Sequence, residues 1–268
     1  MTNGTGRMSN RSPRAVLLSR LYPEVAAGGF THIDGTINFY QRVDALLSSD
    51  MTVVDFGAGR GRSLEDPVAY RRSLTVLKGK VDRVIGLDVD DAVRGNPTVD
   101  EAYVVRQGSA LPLGDQVVDV VVSDFTFEHV TDPVWASAEL TRILKPGGWI
   151  CARTPNKWGT IGIPTRLVPN RFHIGVLRRA QPEKAHRDTF PTAYRLNTFA
   201  DLARYFPREQ FRHAIYTMNN EPAYFGASIV LWRLVRASYR LTPDRLNSMR
   251  LFSMNRGSRG LMVGRAWA

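Results

Sequence analysis

Glycines recur at alternate positions in Asp55-x-Gly57-x-Gly59-x-Gly61, inside the stretch VVDFGAGRGRS at residues 53–63. One tight turn needs one glycine. Three within five positions, with an aspartate two residues ahead, imply that something lies against the main chain, because backbone without Cβ atoms admits close approach. The apolar run before them reads as a buried strand and the residues after them as a helix start, so the turn offers backbone N–H groups at an electropositive helix end. The spacing is not the G-x-G-x-x-G of a dinucleotide site, which disfavours a dinucleotide-dependent oxidoreductase. Asp88 closes the next apolar run, RVIGLDV, where a carboxylate can accept hydrogen bonds from both hydroxyls of a ribose. Alone, Asp88 would read as a turn carboxylate. In an ordered series of strand tips it reads as a ligand group.

Groups able to carry a proton are His129, in the segment FEHV, and His186 and Tyr194, in KAHRDTFPTAYR. Each has a plain structural alternative: His129 can hydrogen-bond a turn, and the second segment can be a loop held by its own charge pairs. Cys151, the single cysteine, sits inside an apolar run and reads as a small core residue. One cysteine makes neither a disulfide framework nor a metal site, and no metal is expected.

The elements that must position these groups follow from the apolar pattern. Helical spacing covers 36–47. Strands are expected at 51–56, 83–89, 103–107, 117–125 and 149–155, and helices at 63–79 and 133–144, the latter stopped by LKPGG. The run VVDVVVSDF lacks alternation, as expected of a parallel strand covered on both faces. Strand and helix in this rhythm mean βαβ units and a doubly wound, mostly parallel sheet. The rhythm breaks after Pro155 into an irregular stretch, to about residue 196, that reads as a lid or substrate loop. Helix (198–205), strand (211–218) and an arginine-studded helix (226–241) then return, leaving room for a final strand. The expected organisation is a disordered lead-in (1–14), an N-terminal helical cap (15–50), a ligand-binding core (51–156) and a C-terminal part (157–268) that completes the sheet and adds a basic, helical or irregular lid.

With these motifs in order, residues 52–156 resemble the class I S-adenosylmethionine-dependent methyltransferases of the type 11 group, carried by DFGAGRG, VIGLDVD, GSALPLGDQVVDVVVSDFTFEHV and LKPGG. The resemblance implies a seven-stranded Rossmann-like sheet and S-adenosyl-L-methionine as cofactor. It places Gly57, Gly59 and Gly61 under the methionine portion, Asp88 on the ribose, Ser109 and Ala110 beside the adenine and Asp124 by the sulfonium. Asp55, Ala58, Val89, Leu111 and Phe125 complete the implied cofactor set. Ser109 departs from the family, which often has aspartate there. The flanks GGFTHIDGTINFYQRV and FPTAYRLNT resemble a bacterial subgroup associated with cell-surface polysaccharide synthesis. The acceptor this implies is small or lipid-linked, a saccharide among the options; a quinone or other isoprenoid-linked aromatic is the alternative. No catalytic residue is implied by the family as a whole.

Charge separates the two halves of the chain. Of 36 Lys and Arg against 25 Asp and Glu, residues 1–150 hold 16 against 19, and residues 151–268 hold 20 against 6. The net of +11 therefore belongs to the C-terminal part, which suits a phosphate-bearing substrate, lipid head groups or nucleic acid, and equally an arginine-rich solvated surface. A nucleic-acid methyltransferase is disfavoured because SDFTF, not an N/D-P-P-Y/F tetrad, follows the fourth strand. Arg233, Arg236 and Arg240 fall on one side of the last helix, which either packs on its own domain or lies on a membrane surface. The N-terminal stretch lacks a signal-type apolar segment and no run is long enough to span a bilayer, so the expected location is cytoplasmic, with peripheral contact at the inner membrane face as a further reading. From a different class, a methyltransferase fold serving only as a partner or membrane-binding scaffold also fits the basic C-terminal part.

Overall fold

The computed structural model describes residues 13–159, 191–222 and 228–257. Its centre is a seven-stranded sheet in the order β3-β2-β1-β4-β5-β7-β6. β1 (Thr52–Phe56), β2 (Arg83–Asp88), β3 (Glu101–Val104), β4 (Val118–Asp124) and β5 (Leu144–Pro155) are parallel, and β7 (Met249–Arg256) runs antiparallel between β5 and β6 (Phe211–Met218). This is the Rossmann-like methyltransferase sheet expected from the sequence.

The valine-dense strands are explained by two cores on opposite faces. Neighbouring residues alternate between them. Val54, Val121, Ile150 and Ala152 join one cluster, which α5 (Pro133–Ile143) and α6 (Phe199–Tyr205) cover with Leu140, Ile143 and Leu202. Val53, Val120, Val122 and Cys151 join the other, under α3 (Gly35–Asp44) and α4 (Ala69–Thr75) with Ile37, Val43 and Leu74. Each fully buried valine or leucine contributes roughly 1.5–3 kcal/mol. Cys151 is fully buried, and burial pushes its thiol up to about 11, as suits a core residue.

Caps fix the helix starts. Asp34 accepts from the Thr36 and Ile37 amides at α3, Asp132 from the Trp135 amide at α5, and Thr198 and Asp201 form a reciprocal capping box at α6. In two places the chain departs from the expected elements. Residues 63–79 do not make one helix: a short turn at Arg62–Glu65 ends at Asp66, which is extended because Pro67 follows it, and α4 begins only at Ala69. LKPGG stops α5 at Ile143 as expected, yet it does not precede the fifth strand. It is the start of β5, where the register against β4 jumps from Val118–Leu144 to Val120–Trp149, so the proline and glycines form a bulge.

Two further helices build a satellite core: α1 (Pro13–Leu21) and α7 (Ile229–Leu241) enclose Leu17, Tyr22 and Trp232, beside the short α2 (Val25–Gly28). No helix among the described residues is long and apolar enough to cross a membrane.

Candidate functional site

In a doubly wound sheet the strand order reverses beside the first strand, and a crevice opens at the carboxyl ends there. Here the reversal lies between β1 and β4. β1 delivers Asp55 and the glycine turn to it, β2 delivers Asp88 and Val89, and β4 delivers Asp124 and Phe125.

The three glycines have different surroundings. All have positive φ, at 90°, 54° and 78° for Gly57, Gly59 and Gly61, a region L-residues rarely adopt. A Cβ on Gly57 would collide with the Thr126 hydroxyl, and one on Gly61 with Asn96 and Pro97. A Cβ on Gly59 would meet nothing within 4 Å. Gly57 and Gly61 are thus bare so that the turn can pack; Gly59 is bare beside open space. The Gly59 amide donates to Asp88 Oδ2 at 2.8 Å and the Asp90 amide to Oδ1 at 2.8 Å, which fixes the carboxylate at the crevice edge. Ala58 packs at the margin of the α3-side core, and Val89 is exposed. Ser109 and Ala110 lie exposed on the loop after β3, pinned by the Trp135 indole N–H to the Ser109 carbonyl at 2.6 Å. Leu111 turns its side chain into the core, while its amide donates to Glu139.

Asp124 is held by a residue the sequence reading did not single out. Arg153 of β5, almost wholly buried, donates through Nε to Oδ1 at 2.7 Å and through Nη2 to Oδ2 at 2.6 Å. Its Nη1 donates to the Thr36 hydroxyl at 2.9 Å. Its plane lies over the Phe125 ring at 4.6 Å, and Phe125 takes a φ of 56° to present that ring. α3 also brings Tyr40 against Asp124; burial, then the charges of Asp124 and Asp55, raise its phenol well above the ordinary value. The signal for Arg153 was legible: it is the one charge inside WICARTP.

Asp55 lies between Asp88 and Asp124, and loss of water, reinforced by those two charges, pushes its carboxyl up to about 7. Glu128, also unremarked in the sequence reading, is buried, accepts from the Thr154 hydroxyl at 2.8 Å, and is pushed up to about 7 chiefly by burial. It gathers two of the proton-carrying candidates. Its carbonyl accepts from the Ala193 and Tyr194 amides at 2.7 and 3.0 Å, and its Oε1 lies 4.0 Å from His129 Nε2. His129 Nδ1 contacts the Pro191 carbonyl at 2.9 Å, so that nitrogen carries the ring proton in the neutral form and Nε2 is the accepting one. His186 lies outside the described residues. No group of three or more His, Cys, Asp or Glu arranged for a metal occurs among the described residues.

The arrangement is a crevice with a bare backbone cradle, three carboxylates on adjacent strand tips and a histidine–glutamate pair at one end. The residues fit an adenosyl cofactor: the cradle is open where a Cβ would stand, and Asp88 supplies a fixed acceptor.

Residues 54–152 match the family described as a methyltransferase domain. The chain is 31% identical over 202 residues to an uncharacterized methyltransferase of Schizosaccharomyces pombe, covering 72% of this chain and 70% of that one. It is 41% identical over 150 residues to a probable S-adenosylmethionine-dependent methyltransferase of Mycolicibacterium smegmatis, covering 53% of this chain and 52% of that protein. The chain thus spans about half the length of that relative. In fold it is similar to a geranyl diphosphate methyltransferase solved in complex with S-adenosylmethionine, with a TM-score of 0.50 and 14% identity over 94% of this chain and 92% of that one.

Proposed function

The chain belongs to the S-adenosylmethionine-dependent methyltransferases, and from that membership we propose that it transfers the cofactor's methyl group to a small or lipid-linked acceptor. The observation that carries this reading is the open space beside Gly59 with Asp88 fixed next to it.

In this reading Gly57, Ala58, Gly59 and Gly61 form the turn under the methionine portion, with Asp55 and Asp124 at its floor. Asp88 and Val89 hold the ribose, Ser109, Ala110 and Leu111 border the adenine, and Phe125 closes the crevice above Arg153. The cofactor, when bound, supplies an electrophilic methyl group, so the protein's work is alignment, exclusion of water and management of one proton. Asp124 is locked by Arg153, which keeps the crevice floor rigid at β4 and β5. Proton removal from the acceptor falls to His129 Nε2, with Glu128 Oε1 4.0 Å from that nitrogen to stabilise the imidazolium; Tyr194, whose amide donates to the Glu128 carbonyl, is the other candidate. A cell-surface saccharide or its anionic carrier suits the flanking motifs and the basic C-terminal part. A quinone or other isoprenoid-linked aromatic is the second reading, favoured by the motifs of residues 52–156.

Calorimetry with S-adenosylmethionine and its demethylated product tests the proposal. Saturable binding that is weakened by Asp88→Ala is expected. No binding by the unaltered protein overturns the reading, and binding without any methylated product in extracts would favour a non-catalytic scaffold. Mass shifts in the lipid and saccharide fractions on deletion separate the two acceptor classes.

A further inference from the structure

α7 carries three kinds of residue on three sides. Trp232 is fully buried against α1. Val230, Leu234 and Leu241, on one outer stripe at helical spacing, are 65%, 62% and 86% exposed. Between these sides stand Arg233, Arg236 and Arg240, which line a cavity of about 620 Å³ together with Tyr22, Tyr239 and His32.

The cavity is polar in an unusual way. The hydroxyls of Tyr22 and Tyr239 are both buried, and neither has a hydrogen-bond partner. Leaving such a group unpaired is unfavourable, and an acceptor entering the cavity would remove that cost. Arg233 and Arg240 form no ion pair with any described residue. Arg236 spends one N–H on the Leu21 carbonyl at 2.9 Å and lies over the Tyr22 ring at 4.4 Å, which fixes its plane. Two carboxylates are near. Glu24 is bonded to His32 at 2.7 Å, and Glu221, close enough to act on both phenols, accepts from the Thr31 hydroxyl at 2.6 Å. Three guanidinium groups therefore face two carboxylates already engaged with neighbours, and the balance is positive.

Planar guanidinium forks and phenolic donors around a pocket recognise a tetrahedral oxyanion, above all phosphate. The source is indicated by the outer stripe. Exposed leucines beside an arginine rim form the pattern of a helix lying in a membrane interface, where the apolar side enters the acyl boundary and the cationic side meets head groups. We propose that this cavity binds the phosphate of an anionic lipid head group while α7 lies on the membrane surface. The site is separate from the cofactor crevice. Asn38 of α3 also lines the cavity, whereas Thr36 and Tyr40 of the same helix face Arg153 and Asp124. Two residues of helix are about 200° of rotation, so α3 stands between the two sites. The proposal does not depend on methyl transfer.

The test is sedimentation of the full chain with vesicles of phosphatidylcholine alone and of phosphatidylcholine with phosphatidic acid. Binding is expected only to the acidic vesicles, weakened on the order of tenfold or more by the paired change Arg233→Ala and Arg240→Ala. Leu234→Ser with Leu241→Ser should weaken it as well. Tyr22→Phe, which keeps the ring, should lower affinity several-fold without loss of stability. Cofactor binding by calorimetry should be unchanged in all three, which also shows that they fold. Equal binding to both vesicle types, or binding indifferent to the arginines, would overturn the proposal. So would calorimetric binding of inorganic diphosphate with no vesicle association, which would mark a soluble ligand instead.

Discussion

Arg153 of β5 grips Asp124 of β4 with two bonds of 2.7 and 2.6 Å, beneath the ring of Phe125. Neighbouring parallel strands thereby bring a cation and an anion into register at the crevice floor, Asp124 opposite Arg153 in the ladder. A pair this deep exists at the expense of its own hydration, so its two halves are not independently dispensable.

Arg153→Met should therefore destabilise by up to about 3 kcal/mol, since it leaves the mostly buried Asp124 carboxylate without its partner. The double variant with Asp124→Asn should recover much of that loss. Urea unfolding of the four proteins closes the cycle, and an additive result would mean that the pair is incidental.

Gly59 and Gly79 make a matched comparison. Both have positive φ, at 54° and 84°, and at both a Cβ meets nothing within 4 Å. Alanine at either should cost about 1 kcal/mol of stability through backbone strain. Only Gly59→Ala should weaken cofactor affinity, by roughly tenfold or more, about 1.4 kcal/mol on the binding scale. Equal affinities in calorimetry would remove Gly59 from the proposed site.

The stability of the protein should fall as pH rises through the neutral range. Glu128 and Asp55 titrate near 7 when folded, against ordinary values of 4.5 and 3.8. The folded state keeps protons that the unfolded chain releases. The resulting stability is complete below about pH 4 and is lost as the pH climbs toward and through 7. Glu128→Gln, which preserves an acceptor for Thr154, should shrink the difference between urea midpoints near pH 5 and near pH 8. An undiminished difference would assign the dependence elsewhere.

Trp232 is the one buried side chain of α7. Trp232→Ala should cost about 3–5 kcal/mol locally and loosen α7 from α1. Amide exchange should then rise in α1 and α7 while the sheet stays protected. Uniform loss of protection would mean that the satellite core and the sheet unfold together.

Much of the core was legible because its signals are local. β-branched runs mark strands, bare glycines mark the turn, and Asp88 follows its strand directly, so strand tips and crevice could be read in order along the chain. Where local reading failed, the cause was competition with the sheet. The residues 145–148 do stop α5, yet pairing with β4 also draws them into β5 as a bulge, so the strand begins earlier than its apolar run. Pro67 divides a segment whose apolar spacing suggested one helix. Arg153 shows locally only as a lone charge in an apolar run, and Glu128 carries no local pattern at all. A charge in a strand becomes meaningful only when the neighbouring strand places a counter-charge against it, and a glutamate in a turn only when burial raises its proton affinity.

By itself the sequence determined the alternation of strands and helices, the glycine turn and the ordered strand-tip carboxylates, because these depend on backbone preference and on the period of apolar residues. Only the tertiary structure decided which charges meet. It set Arg153 on Asp124, gathered His129 and Tyr194 around Glu128, and closed α7 over α1 to leave three arginines and two phenols around one cavity. Those pairings join residues far apart in the chain, and their energies arise from lost water and short distances that exist only once the layers have packed.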